Sequence, residues 1–175
     1  MATLPIAWLV ARAAGLVAFG LLTLSVWLGL AMSTRLLGPK RQKALLGLHK
    51  TLVWTGLAML GLHMLAVLVP FAAPWKAGAI AAGVIAGWFS LALAVSFRLR
   101  KWIGQKGWRR LHYLSFGAFA LALGHALLVG TDLQGLGGPV LALLAAGPVL
   151  WLTFYRLLTP RTAPASAPKP ALAAA

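Results

Sequence analysis

Five apolar stretches, at about 7–31, 48–70, 77–97, 111–130 and 139–159, take up most of this 175-residue chain. Each is close to the roughly 20 apolar residues that cover a hydrocarbon core about 30 Å thick. Backbone groups in lipid find no water, so such stretches must be helices that satisfy their own N–H and C=O groups. Only 10% of the residues are charged, where a soluble domain carries about a quarter. The sequence therefore predicts an all-α integral membrane protein. Residues 1–159 form a bundle of five transmembrane helices, and the Pro- and Ala-rich stretch 160–175 is a disordered tail by composition. The first stretch does not read as a cleavable signal peptide, because no positive residue precedes it and its apolar run is too long.

Charge then sets an expected orientation. There are 16 Lys and Arg against one acidic residue, Asp132, for a formal charge of +15. Such an excess can mark a nucleic-acid binder, but here the basic residues lie in short loops between apolar runs. They read as topology signals and lipid-headgroup contacts instead. The first loop carries Arg35, Lys40, Arg41 and Lys43, with Lys50 just beyond. The third carries Arg98, Arg100, Lys101, Lys106, Arg109 and Arg110, and the C-terminal region adds Arg156, Arg161 and Lys169. Only Lys76 and Arg12 belong to the other side. The positive-inside rule places the N-terminus outside and the C-terminus in the cytoplasm of a cell-membrane protein of bacterial inner-membrane type. Pro70, Pro74 and Gly78 mark one outer turn, and Gly135, Gly137, Gly138 and Pro139 the other. The only internal repeat expected is a loose similarity between the second and fourth stretches.

All four histidines fall on those two parallel stretches: His49 and His63 on the second, His112 and His125 on the fourth. Ionisable side chains within a membrane are costly and mark function. Steps of 14 and 13 residues correspond to about 21 and 20 Å along a helix, so the four define two levels, His49 with His112 and His63 with His125. Each level offers one imidazole from each helix, the axial ligand pair of a six-coordinate heme iron. The expectation is two b-type hemes, one above the other, carrying electrons across the bilayer. On the second stretch His49 and His63 share a helical face, with Gly56 midway as a place for porphyrin. The 13-residue step on the fourth rotates by about 220° on an ideal helix, so that helix must be distorted, or His112 must lie in an irregular first turn.

Heme propionates need cationic partners. Lys50, Arg109 and Arg110 are candidates at the basic end, and Arg12 at the other. The competing account has Arg12 snorkelling to the outer headgroups and Gly56 serving ordinary helix packing. Trp75, Trp102 and Trp108 read as interface anchors. Asp132 reads as a capping or loop-solvating residue. With one acid and no cysteine, the chain has no carboxylate pair, thiolate, iron–sulfur cluster or Cys-type zinc site. No catalytic residue is assigned. The alternative function is a non-redox scaffold or transport subunit whose histidines make polar contacts.

The segments ARAAGLVAFGLLTLSVWLGLAMS (11–33), LHKTLVWTGLAMLGLHMLAVL (48–68) and WRRLHYLSFGAFALALGHALLVGTD (108–132) resemble the ferric reductase-like transmembrane domain family, which includes the heme domain of NADPH oxidases. The resemblance implies that His49 and His112 ligate the cytoplasmic-side heme and His63 and His125 the outer one. Larger members have an additional span before the position of Ala7 and a cytoplasmic flavin- and nicotinamide-binding domain, neither expected here. The resemblance therefore implies a separate flavoprotein or a membrane quinol as donor. The acceptor would be ferric iron, oxygen or a protein. Whether the chain is itself an enzyme or the heme subunit of one stays open.

Overall fold

A computed structural model describes residues 6–34, 36–67, 77–133 and 135–159. Among them the regular structure is helical throughout: α1 (Ile6–Thr34), α2 (Gln42–Val67), α3 (Ala77–His112), α4 (Leu114–Val129) and α5 (Gly137–Leu158). Short 3₁₀ turns at Pro39–Arg41 and Thr131–Leu133 lead into α2 and follow α4. Asp132 lies in the second of these. The tail 160–175 and the turn residues Pro70, Pro74 and Trp75 lie outside the described residues.

Four helical stretches are long and apolar enough to cross a membrane, the third running from Ala77 to Val129 through both α3 and α4. At 1.5 Å per residue that third stretch would be about 80 Å long if straight, but it folds back on itself. The reversal is at Gly104, whose φ of 77° and ψ of 157° interrupt α3. Only glycine enters that region without steric cost. Residues after Gly104 then run back beside the first part of α3, and α4 continues that return path.

Between α3 and α4 a single residue, Tyr113, breaks the helix. The Tyr113 N–H donates to Arg110 O at 3.2 Å and the Phe116 N–H to Tyr113 O at 3.1 Å. These three-residue bonds tighten the chain locally. The 13-residue step therefore does not run along one unbroken helix: His112 ends α3, one residue before the interruption, while His125 sits inside α4.

Packing inverts the pattern of a water-soluble protein. The buried positions are mostly small: Ala11, Ala14 and Ala18 on α1, Ala86 on α3, Ala118 on α4, Ala145 on α5. Large apolar side chains such as Leu65, Trp88, Leu143 and Phe154 point outward, as suits a surface that meets lipid. Small residues let helix backbones approach where no water drives association. Gly56, the only buried residue of α2, is of this kind: a Cβ there would meet Leu22 Cγ and Cδ2 at 3.0 Å. α1 packs along α2, and α3 along α4, as two hairpins. α5 closes against α1 through Leu30, Val149 and Leu152, with Phe116 and Phe119 of α4 at the edge of the cluster. Trp27 Nε1 also donates to Ala145 O at 3.1 Å. That bond falls next to Pro148, whose missing N–H loosens the helix ladder of α5.

Candidate functional site: two histidine pairs in one cavity

Between the two hairpins runs a cavity of about 1170 Å³, partly open to the surface, that reaches all four histidines. Small-molecule pockets span roughly 300–1,000 Å³, and a close-packed interior leaves few voids larger than a water molecule. The helices thus frame a long chamber and do not fill a core. Its lining is largely apolar, with Arg12, Lys50, Arg98, Arg109 and Arg156 at its borders.

The histidines meet in the expected pairs. The ring centroids of His49 and His112 are 6.4 Å apart with planes at 70°. Those of His63 and His125 are 6.2 Å apart at 77°. Two imidazoles joined directly by an N–H···N bond would hold their centroids about 5 Å apart. Two imidazoles binding one metal from opposite sides, at about 2.0 Å each, hold them about 6.3 Å apart.

Three of the rings are fixed from behind. His63 Nδ1 donates to Ala11 O at 2.7 Å, and His125 Nδ1 to Ala79 O at 2.8 Å. His49 Nδ1 donates to Ser25 O at 3.0 Å and lies 3.2 Å from Ser25 Oγ. A carbonyl only accepts, so each of these Nδ1 atoms carries the proton and Nε2 keeps its lone pair. This is the tautomer a metal-binding histidine adopts, with its orientation set by the outer hydrogen bond.

The helices that supply these carbonyls carry a repeat that the comparison of the second and fourth stretches missed. Residues 11–18 read ARAAGLVA and residues 79–86 read AIAAGVIA, 68 positions later. In each copy the first alanine offers its carbonyl to a histidine, and the glycine four residues on, one helical turn away, clears space for the ring. A Cβ at Gly15 would lie 2.7 Å from His63 Nδ1, and one at Gly83 2.5 Å from His125 Nδ1. The signal was available in the sequence as Ala-x-Ala-Ala-Gly followed by two β-branched or leucine residues and alanine. Its meaning required knowing that α1 and α3 back the histidines.

Midway between the two levels, Phe19 of α1 and Phe119 of α4 stack with centroids 6.4 Å apart and planes at 16°. Three buried polar atoms that line the chamber meet no hydrogen-bond partner among the described residues: Thr23 Oγ1, Trp108 Nε1 and His112 Nδ1. Trp108 is therefore a chamber residue and not the interface anchor the sequence suggests, whereas Trp102 is 80% exposed. Of the remaining candidates, Arg12, Lys50 and Arg109 border the chamber, while Gly56 and Arg110 are not among its lining residues. Gly56 packs on α1, and Arg110 is exposed. Arg156, which the sequence marks only as a topology charge, borders the chamber and donates to the Tyr113 hydroxyl at 3.0 Å. No group of three or more His, Cys, Asp or Glu occurs among the described residues, so each level offers two protein ligands only. No protein-family model, no characterised protein and no solved structure matches this chain.

Proposed function

We propose that the protein is a multi-pass membrane electron carrier that holds two b-type hemes, one at each histidine level. The observation that carries this reading is the pairing itself. Both levels set two imidazoles at a separation suited to one metal between them, inside one apolar chamber. A bare metal site needs three or four protein ligands, whereas a porphyrin supplies four nitrogens and asks the protein for two. The residues present fit that group. When bound, heme supplies reversible one-electron chemistry at its iron.

The chain's own residues do the rest. His49, His63 and His125 present Nε2 with Nδ1 held by a carbonyl. The small residues of α1 and α3 leave room beside the rings. Lys50, Arg109 and Arg156 at one end and Arg12 at the other offer cations for propionates, and the lining between them is largely apolar. In this reading the chain crosses the membrane five times, with α3 and α4 as separate spans joined at Gly104. The N-terminus is outside, and the basic loops and tail are cytoplasmic. His49 and His112 form the inner level and His63 and His125 the outer one, as in the ferric reductase-like transmembrane domain family. Electrons enter from a flavoprotein or a quinol and leave outside to ferric iron, oxygen or a protein acceptor.

The test is a reduced-minus-oxidised absorbance spectrum with pyridine-hemochrome quantitation on detergent-purified protein. Two hemes b per chain are expected, with one lost in His63→Ala. A preparation made with ample heme supply that contains none would refute the proposal.

A further inference from the structure

The repeat that builds the His63/His125 level fails at the other level, and on one helix only. Fourteen residues beyond Ala11 and Gly15 on α1, Ser25 and Gly29 serve His49 in the same way: a carbonyl behind Nδ1 and an open backbone beside the ring. Their counterparts on α3, at the 68-residue offset, are Leu93 and Phe97. The Leu93 carbonyl accepts the buried Ser96 hydroxyl at 2.7 Å. Phe97 puts a phenyl ring where α1 has a glycine, and that ring packs edge-on against Trp108 at 5.7 Å.

His112 is left without a carbonyl behind it. Its Nδ1 is buried and meets no hydrogen-bond partner among the described residues. What holds the imidazole is Trp108, one turn earlier on α3, stacked at 4.9 Å and 24°. A stack restrains the plane of a ring but leaves it free to slide and turn within that plane. It also does nothing for the basicity of Nε2, which a carbonyl on the far N–H raises. The ring further sits at the end of α3, beside the break at Tyr113.

We propose that His112 is the exchangeable ligand of the four, so that the His49/His112 level also serves as a binding site for a small diatomic molecule, while the His63/His125 level stays closed. The inference rests on the two-heme reading above. Exchange breaks the bond from the metal to His112 Nε2, whose electron pair stays on nitrogen. The incoming ligand brings the pair for the bond that replaces it, so nothing is oxidised or reduced. Trp108 is a positioning residue that sets how readily the imidazole departs.

Full-length protein in detergent, with its heme quantified, is reduced anaerobically and titrated with carbon monoxide while the absorbance is followed. Carbon monoxide should bind half of the heme in the unmodified protein. Trp108→Leu should speed binding roughly 2- to 10-fold, the effect of losing one ring stack, and Trp108→Phe should stay close to the parent. Leu93→Ser combined with Phe97→Gly rebuilds the α1 pattern on α3 and should suppress carbon monoxide binding. Two hemes per chain with carbon monoxide on neither, or on both, overturns the proposal and leaves the two-heme reading standing. Absence of heme from the unmodified protein overturns that reading itself, and this one with it.

Discussion

Replacing Gly83 by alanine sets a local gain against a loss at the site. Within a helix, alanine is favoured over glycine by about 1 kcal/mol, so the change should stabilise α3 if nothing faced it. At Gly83 the new Cβ would lie 2.5 Å from His125 Nδ1, 2.7 Å from Cγ and 2.8 Å from Cε1. Ordinary contacts lie at about 3.5–4.0 Å, so the ring must retreat by roughly 1 Å. That retreat stretches the 2.8 Å bond to Ala79 O out of hydrogen-bonding range, and an unpaired buried group costs about 1–3 kcal/mol. It also drives His125 toward His63, closing the 6.2 Å separation, whereas a ligand constellation tolerates displacements of only about 0.5 Å. On the two-heme proposal, the expected result is a folded protein with unchanged far-ultraviolet circular dichroism that binds about one heme where the parent should bind two. Gly29→Ala is the control, because its Cβ meets His49 Cε1 at 3.6 Å, an ordinary contact, and both hemes should remain. If Gly83→Ala kept both hemes with an unaltered reduced spectrum, or Gly29→Ala lost as much as Gly83→Ala, the account of the repeat as a histidine cradle would be refuted.

Three further outcomes follow from other parts of the fold. Gly104→Ala forces a Cβ into φ 77° and should cost about 1–3 kcal/mol, read as a lower midpoint in detergent unfolding; an unchanged midpoint would mean that the α3 reversal lies elsewhere. Trp27→Phe removes the donor to Ala145 O and should destabilise by about 1 kcal/mol in the same assay, with heme content intact. The chain has no cysteine, so single cysteines report topology directly. Leu136→Cys should react with an impermeant maleimide on intact cells and Gln105→Cys only after lysis, and the reverse pattern would invert the orientation proposed above.

The sequence made the helical class, the pairing of histidines and the trouble at the 13-residue step legible, because each depends on spacing along a helix. His49 and His63 could be placed on one face from the 14-residue step alone. The interruption of the helix between His112 and His125 could not, because it falls at Tyr113, an ordinary residue whose three-residue hydrogen bonds appear only in three dimensions. Gly56 illustrates the opposite limit. A glycine midway between two histidines looks like porphyrin space, yet its neighbours are Leu21 and Leu22 of α1, and periodicity does not say which of two packed helices a residue meets. The backing carbonyls of Ala11, Ser25 and Ala79 were invisible for a plainer reason, since any residue has a carbonyl. Only the glycine one turn away leaves a trace in the sequence.

The spacing of the two levels has an electrical side. His49 and His63 are separated by 14 residues on α2, about 21 Å along its axis, which is some two thirds of a hydrocarbon core about 30 Å thick. If the protein carries electrons as proposed, with these helices spanning the bilayer, an electron passing between levels that far apart crosses a similar share of the membrane field. Moving one elementary charge through the whole field is worth about 2.3 kcal/mol per 100 mV, so the passage is worth about 1.6 kcal/mol per 100 mV. A cell interior held negative pushes the electron outward by that amount, roughly 15-fold in the equilibrium between the levels at 100 mV. On the proposed reading, the resting potential of the membrane is itself part of the driving force, and its collapse should shift reducing equivalents back toward the His49/His112 level.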